Sequence, residues 1–99
     1  MIVAQIFAGG GGYVLPIRSA YDTEMLLHAL QYFLRDRESL RVRLGSAFAE
    51  VRRAAAGTRC SACSASARGV VWADGPVQLC TRCACARLPG VLRKLAKAA

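Results

Sequence analysis

The sequence predicts an α+β fold in which an N-terminal β-hairpin and helices precede a cysteine-bearing segment with a C-terminal basic helix. Three observations support this class. The chain opens with apolar, β-branched runs, a helical period of apolar residues begins after Asp22, and four of five cysteines form two Cys-x-x-Cys pairs. Ninety-nine residues suffice for one domain, or for a small domain with an appendage. We predict two units: a hairpin and helical platform at 1–57 and a second, cysteine-bearing unit at 58–99.

Residues 2–7 and 13–17 are predicted to form the N-terminal hairpin, because both runs are apolar and rich in β-branched or aromatic residues. Pro16 has no amide hydrogen, which places the second strand at an edge of its sheet. Four glycines at 9–12 connect the two runs. A glycine-rich loop can also hold phosphate, but the Gly-Lys-Ser/Thr that completes such a loop does not follow. We therefore interpret the glycines as a flexible hairpin turn.

A helical period begins at Asp22, whose carboxylate can cap a helix N-terminus. The apolar stripe that follows contains Leu26, Leu30, Phe33, Leu40, Leu44, Phe48 and Val51. Arg37 falls inside this stripe, and a buried, unpaired guanidinium is costly. We therefore predict a break near 35–39 between two packed helices, at about 22–35 and 39–56. Gly57 is a suitable stop for the second helix.

Residues 40–48 allow two further interpretations. Leu40-Arg41-Val42-Arg43-Leu44 alternates apolar and charged residues, so a short strand competes with the second helix. In addition, the apolar stripe can exceed what the core of so short a chain covers. Leu40, Leu44 and Phe48 are therefore candidate residues for an interface with a protein partner.

The cysteines are the most specific signal in the chain. Cys60-x-x-Cys63 and Cys80-x-x-Cys83 are separated by sixteen residues. Each pair places two thiolates on one side of a tight turn, and two pairs complete a tetrahedron, which predicts one zinc ion; an iron–sulfur cluster is the alternative. With four protein ligands no position is left for water or substrate, so the zinc is expected to be structural. Cys85 could replace Cys83, although a small buried residue beside the site is the simpler interpretation.

A second hairpin is predicted between the cysteine pairs, because Asp74-Gly75 separates two apolar runs. The predicted order of elements is therefore a turn, a hairpin, a second turn and a helix. This is the order found in a treble-clef finger. Trp72, Asp74-Gly75 and Leu79-Cys80-x-x-Cys83 resemble a GATA-type finger. Together with its flanking helices, the same stretch resembles the zinc module of the DksA/TraR family of RNA polymerase-binding regulators.

The resemblance covers at most about residues 59–99. It implies a treble-clef-like four-cysteine zinc finger with a basic C-terminal helix. Ser64 stands where the glycine after a knuckle's second cysteine is common. We expect Trp72 to form the core of the finger, although a lone tryptophan can also stack on a nucleobase.

Positive charge gathers around the cysteine segment. The chain has a formal net charge of +8, and no acidic residue follows Asp74. Candidate phosphate contacts are Arg59, Arg68, Arg82, Arg87, Arg93, Lys94 and Lys97. These features predict a zinc-stabilised protein that binds DNA or RNA, as a small regulator or a subunit of a nucleoprotein complex. A solvated basic surface is the simpler explanation of the charge. The alternative function is an interaction module for RNA polymerase or another subunit, with purely structural zinc.

Catalysis and membrane insertion are not expected. His28 is the only histidine, and the six carboxylates are dispersed along the chain, so no catalytic constellation can be assembled. Residues 2–17 are uncharged, but the start is not basic and the glycines interrupt the apolar run, unlike a signal peptide. We therefore expect a cytoplasmic protein, and in that compartment cysteines bind metals more often than they form disulfides.

Overall fold

A six-stranded antiparallel sheet and two helices make up the protein in a computed structural model that describes residues 2–9 and 11–98, with backbone alone for Pro89 and 91–98. The strands are β1 (Ile2–Ala8), β2 (Gly11–Ile17), β3 (Ser39–Leu44), β4 (Ala47–Arg53), β5 (Val70–Asp74) and β6 (Val77–Leu79). The helices are α1 (Ala20–Phe33) and α2 (Thr81–Ala98). Strand order is β2-β1-β3-β4-β5-β6, with antiparallel neighbours throughout. The predicted α+β class is confirmed.

The N-terminal hairpin is confirmed, with strands slightly longer than predicted. Ala8 pairs with Gly11, so part of the glycine run belongs to β2. β2 occupies an edge of the sheet, as the proline predicts. Pro16 lies opposite Val3.

Helix α1 begins two residues before the predicted start. Ser19 is its N-cap, and its Oγ accepts a hydrogen bond from the Asp22 amide at 3.4 Å. Asp22 lies in the first turn, where its carboxylate accepts from the Arg18 amide at 2.9 Å. A short 3₁₀ turn at Leu34–Asp36 follows the helix, which confirms the break expected near 35–39.

The predicted second helix at 39–56 is wrong, because this segment forms the β3–β4 hairpin. Along β3, Leu40 and Leu44 are buried while the arginines between them are exposed. Gly45, with φ +59°, opens a two-residue loop that turns the chain into β4. The two leucines therefore lie in the core and not on a partner surface. Phe48 points to the opposite face of the sheet and is exposed.

The second predicted hairpin is also present, as β5 and β6. Asp74 pairs with Val77, so the loop is Gly75-Pro76, one residue later than the predicted turn. Gly75 has φ +58°, which its lack of a Cβ permits at the first loop position. Strand β5 also pairs with β4, so one sheet continues across the predicted boundary between 57 and 58.

One apolar core lies between the sheet and the two helices. Alternate residues of β1, β3, β4 and β5 face this core, and α1 contributes Leu26, Leu27 and Leu30 to it. Trp72 is fully buried opposite Val51, as predicted, but in the core shared with the rest of the sheet and not in a separate core of the finger. Both helices therefore cover the same face of the sheet.

Candidate metal centre

The four paired cysteines converge at one place. The Sγ atoms of Cys60, Cys63, Cys80 and Cys83 all lie within 4.8 Å of one another. The Sγ atoms of Cys63 and Cys80 are 4.0 Å apart. Zinc with Zn–S bonds of about 2.3 Å holds tetrahedral sulfurs about 3.8 Å apart. The cluster can therefore hold a metal ion, and its dimensions are consistent with zinc.

The first cysteine pair lies in a tight loop built by backbone hydrogen bonds. The Cys60 amide donates to the Ala65 carbonyl at 2.8 Å, and the Ser64 amide donates to the Cys60 carbonyl at 2.9 Å. Ser64 has φ +63°, the left-handed conformation that a glycine adopts more readily. Arg59 Nη1 donates to the Ser64 carbonyl at 2.9 Å. This arginine therefore braces the loop.

The second cysteine pair stands at the start of α2. The Cys80 carbonyl accepts a hydrogen bond from the Ala84 amide at 2.8 Å, and Cys83 lies in the first helical turn. Trp72 Nε1 donates to Thr81 Oγ1 at 3.1 Å in the protein interior. This bond joins the start of α2 to the β5–β6 hairpin.

The cysteine loop is also attached to the sheet. The Ser61 amide donates to the Gln78 carbonyl at 2.6 Å, and the Gln78 amide donates to Ser61 Oγ at 3.2 Å. Strand β6 is thus hydrogen-bonded on both sides, to β5 and to the loop. The loop is thereby held next to the start of α2, where the two cysteine pairs meet.

The thiols of the cluster differ in acidity. Burial opposes ionisation of Cys60, but hydrogen bonds from the backbone around Cys80, Cys63 and Ala62 outweigh it and lower its pKa to about 6. Burial, reinforced by the neighbouring thiols, raises the pKa of Cys83 to about 12. Burial also raises the pKa of Cys80. Because metals bind thiolates, occupation of this centre must displace protons.

Cys85 is not part of the four-residue cluster. It is buried in the core, and burial raises the pKa of its thiol to about 11. Its sulfur lies outside the group of four that converge, so Cys85 is not a ligand in this arrangement. Its position agrees with the simpler interpretation, a small buried residue beside the site.

The basic residues proposed from the sequence fall into three groups. Arg59 braces the cysteine loop, and Arg68 Nη1 lies 3.7 Å from Glu24 Oε1 on α1. Arg82 and Arg87 are exposed on α2. Three others, Arg93, Lys94 and Lys97, have side chains outside the described part of the structure.

A groove of about 220 Å³ lies beside the cysteine cluster. It is lined by α1, the cysteine loop and the start of α2, and it brings Arg68 and Arg82 next to Cys63 and Cys80. The structure therefore gathers two of the predicted phosphate contacts at the metal centre. The sequence analysis named Phe48, but it did not group this residue with the arginines and the second phenylalanine on the far side of the sheet. The alternation at 40–44 was the signal that could have located the group.

No family model, curated protein or solved structure matches this chain. Among the described residues, no helix combines the length and the apolar character needed to cross a membrane.

Proposed function

We propose that Cys60, Cys63, Cys80 and Cys83 hold one structural zinc ion. The mutual distance of their four sulfurs carries this proposal. A four-thiolate set suits zinc and leaves no coordination position for a reacting water or substrate. The zinc would then support the structure and take no part in catalysis. The ion would join the cysteine loop, β6 and the start of α2, and a treble-clef-like finger of the GATA or DksA/TraR kind is the finer assignment that we propose.

Metal analysis tests the zinc site. We expect about one zinc per chain in protein purified without chelator, and Co²⁺ substitution should give the thiolate-to-metal charge-transfer bands of a tetrahedral sulfur site. A protein that contains no zinc, and whose circular dichroism is unchanged by a strong chelator, contradicts the assignment. An iron–sulfur cluster would instead give iron and acid-labile sulfide.

We further propose that the zinc-stabilised unit binds nucleic acid. The charge distribution supports this function, because no acidic residue follows Asp74 while basic residues continue to Lys97. Arg82 and Arg87 are exposed on α2, and in the described part of the chain neither forms a salt bridge. Their guanidinium groups are therefore available to phosphates, which arginine can contact with two parallel hydrogen bonds.

Binding measured against salt concentration tests this function. The affinity of the wild-type protein should fall linearly on a log–log plot, because bound phosphates release their counterions. The double variant Arg82→Ala/Arg87→Ala should bind more weakly and lower the slope by about 2. Arg35→Ala is the matched control, since Arg35 is exposed outside the cysteine segment and α2. No binding at low salt, or a flat salt dependence, rejects the proposal.

A protein-interaction module is the second candidate function. The observation that favours it is an exposed stripe on α1, where Tyr21, Met25 and Tyr32 are 71%, 39% and 57% accessible. Tyrosine and methionine are enriched at protein interfaces. RNA polymerase or another complex subunit would be the partner. Tyr21→Ala/Tyr32→Ala should abolish capture of that partner while nucleic-acid binding persists.

A further inference from the structure

The sheet face turned away from both helices carries a second group of polar and aromatic side chains. We call it the open face and define it by Phe7, Arg41, Arg43, Phe48, Glu50 and Arg52, all exposed. Strand register explains the grouping. Phe7 lies opposite Arg41 across β1 and β3, and Arg43 lies opposite Phe48 across β3 and β4. Side chains from three neighbouring strands therefore share one surface.

The two phenylalanines form an exposed pair of stacked rings. Their ring centroids are 6.3 Å apart and the ring planes differ by 27°, so the rings lie roughly parallel. Each residue is 40% exposed. The Arg41 guanidinium lies over the Phe48 ring, 4.3 Å from its centroid, and adds a third planar group to the stack. Unpaired bases stack on both aromatic rings and guanidinium planes.

The charge of the open face suits a polyanion. Three arginines stand against the one carboxylate of Glu50, which lies opposite Arg41 in the register. Arg52 Nη1 is 3.3 Å from Glu50 Oε1. The acid is thus flanked by arginines, and the face retains positive charge for phosphates. A second copy of the chain would bring like-charged faces together, which disfavours self-association through this surface.

An open groove of about 470 Å³ runs beside the Phe48 ring. Arg41 and Arg52 line it together with the acids Glu50 and Asp74. Hydrogen-bond donors and acceptors therefore lie next to the stacked rings. Base edges pair with groups of this kind. In a duplex the base faces are already stacked on one another and cannot lie on a flat sheet. Only an unpaired strand offers base faces and phosphates together.

We propose that the open face binds single-stranded nucleic acid, with bases stacked on Phe7 and Phe48 and phosphates held by Arg41 and Arg43. This proposal rests on the proposed function only in that the ligand is a nucleic acid. It uses a different surface, on the side of the sheet opposite the helices. The protein would then have two contacts with nucleic acid, a basic one at α2 and a base-stacking one on the sheet.

Fluorescence anisotropy with labelled oligo(dT), oligo(U) and a blunt duplex tests the proposal in the full-length zinc-loaded chain. We expect Phe48→Ala and Phe7→Ala each to weaken binding of one or both single strands about 5- to 100-fold, with little effect on the duplex. Phe48→Tyr, which keeps the ring, should bind as the wild type does. Tyr21→Ala is the matched control, because it removes an exposed ring from α1. Zinc content and the fluorescence of buried Trp72 verify folding.

The outcomes separate this proposal from the proposed function. Single-strand binding that both phenylalanine substitutions leave unchanged overturns the role of the open face, while nucleic-acid binding itself stands. Binding of the duplex but of neither single strand likewise overturns the role of the open face and leaves nucleic-acid binding itself in place. A dimer that Phe48→Ala converts to a monomer, with no change in oligonucleotide affinity, assigns the face to a second copy and also overturns it. If no nucleic acid binds at low salt, both proposals fail.

Discussion

The core of the sheet and the cysteine loop at 58–67 are stabilised in different ways. Under the helices, residues such as Ile6, Leu30 and Val42 are fully buried. Each such side chain contributes about 1.5–3 kcal/mol through burial. In the cysteine loop, residues 61–66 are all exposed and Cys60 is the buried member. The loop thus has little apolar surface of its own to bury, and it depends on hydrogen bonds and on the metal ion that we propose.

Helix α2 belongs to both regions. Its first turn carries Cys83, and Leu88 further along is buried in the common core. The difference between the regions is therefore one of local stability within a single fold. The loop and the first turn of α2 should respond to metal, whereas the rest of the fold should respond to changes in the core.

The largest expected effect is the difference between substituting Cys83 and substituting Cys85. Both cysteines lie on α2 and each is 6% exposed. Cys83→Ala removes a ligand and should release the zinc, whose binding contributes on the order of 10–16 kcal/mol in small fingers. Cys85→Ala should keep the zinc and cost about 1 kcal/mol. Metal analysis and hydrogen exchange measure both effects. In Cys83→Ala, residues 58–67 should lose protection first, while β1, β3 and β4 retain it.

Two results would contradict the proposed difference between the cysteine loop and the core of the sheet. Loss of zinc from Cys85→Ala but not from Cys83→Ala would show that the ligand set is wrong. Equal loss of protection in the loop and in β1, β3 and β4 would show that metal and core stabilise one cooperative unit.

A substitution in the core should lower the free energy of unfolding whether or not the metal is bound. Leu30→Ala removes a fully buried side chain of α1 and should lower the free energy of unfolding by about 2–5 kcal/mol. Urea denaturation followed by Trp72 fluorescence, in the presence and absence of chelator, measures this loss. Tyr32→Ala, an exposed position on the same helix, should change stability by about 0.5 kcal/mol or less. A Leu30→Ala penalty that disappears with chelator would mean that the core itself depends on zinc.

Acidification should weaken metal binding. The metal-free pKa of Cys83 is about 12, so its proton must be displaced throughout the neutral range. The metal-free pKa of Cys60 is about 6, so its proton begins to compete only near and below that pH. Affinity should therefore fall as pH is lowered, and more steeply below about pH 6. Competition titrations with a chelator of known pH dependence measure this curve. An affinity that does not change with pH would argue against thiolate ligands.

The smallest effect is expected at Ser64, which adopts a positive φ in the cysteine loop. Ser64→Gly removes the steric strain of that conformation and should stabilise the zinc-bound loop by about 1 kcal/mol or less. Ser66→Gly is the control, since Ser66 pairs with Arg59 in an extended bridge and gains nothing from glycine. Chelator concentration at half-release compares the two variants. Stabilisation by Ser66→Gly, and not by Ser64→Gly, would contradict this explanation.

Local signals in the sequence were the ones that predicted structure. Each of these signals depends only on residues that are close together in the sequence. They are the two Cys-x-x-Cys pairs, the uncharged runs around the glycines, and Pro16. Segment 39–56 failed because Leu40 and Leu44, four residues apart, satisfy a helical stripe and also lie on one side of a strand. The deciding feature is Gly45, which permits the tight turn between β3 and β4.

Contacts between distant segments could not be predicted. Nothing near Val70 indicates that β5 pairs with β4 and extends the sheet. The hydrogen bond from Trp72 to Thr81 likewise depends on the folded arrangement. The open face was missed because its phenylalanines, Phe7 and Phe48, are forty-one residues apart in the chain and meet only through strand register.

If the proposed metal holds the cysteine loop, the bonds between Ser61 and Gln78 would connect metal binding to solubility. An unpaired strand edge is a template for association with other chains, and here the cysteine loop covers the outer side of β6. At the opposite end of the sheet, Pro16 in β2 offers no amide hydrogen to a neighbour. A chain that lost its metal and released the loop would expose β6 for edge-to-edge pairing. Zinc supply in the cell would then govern how much of the protein stays dispersed and how much aggregates.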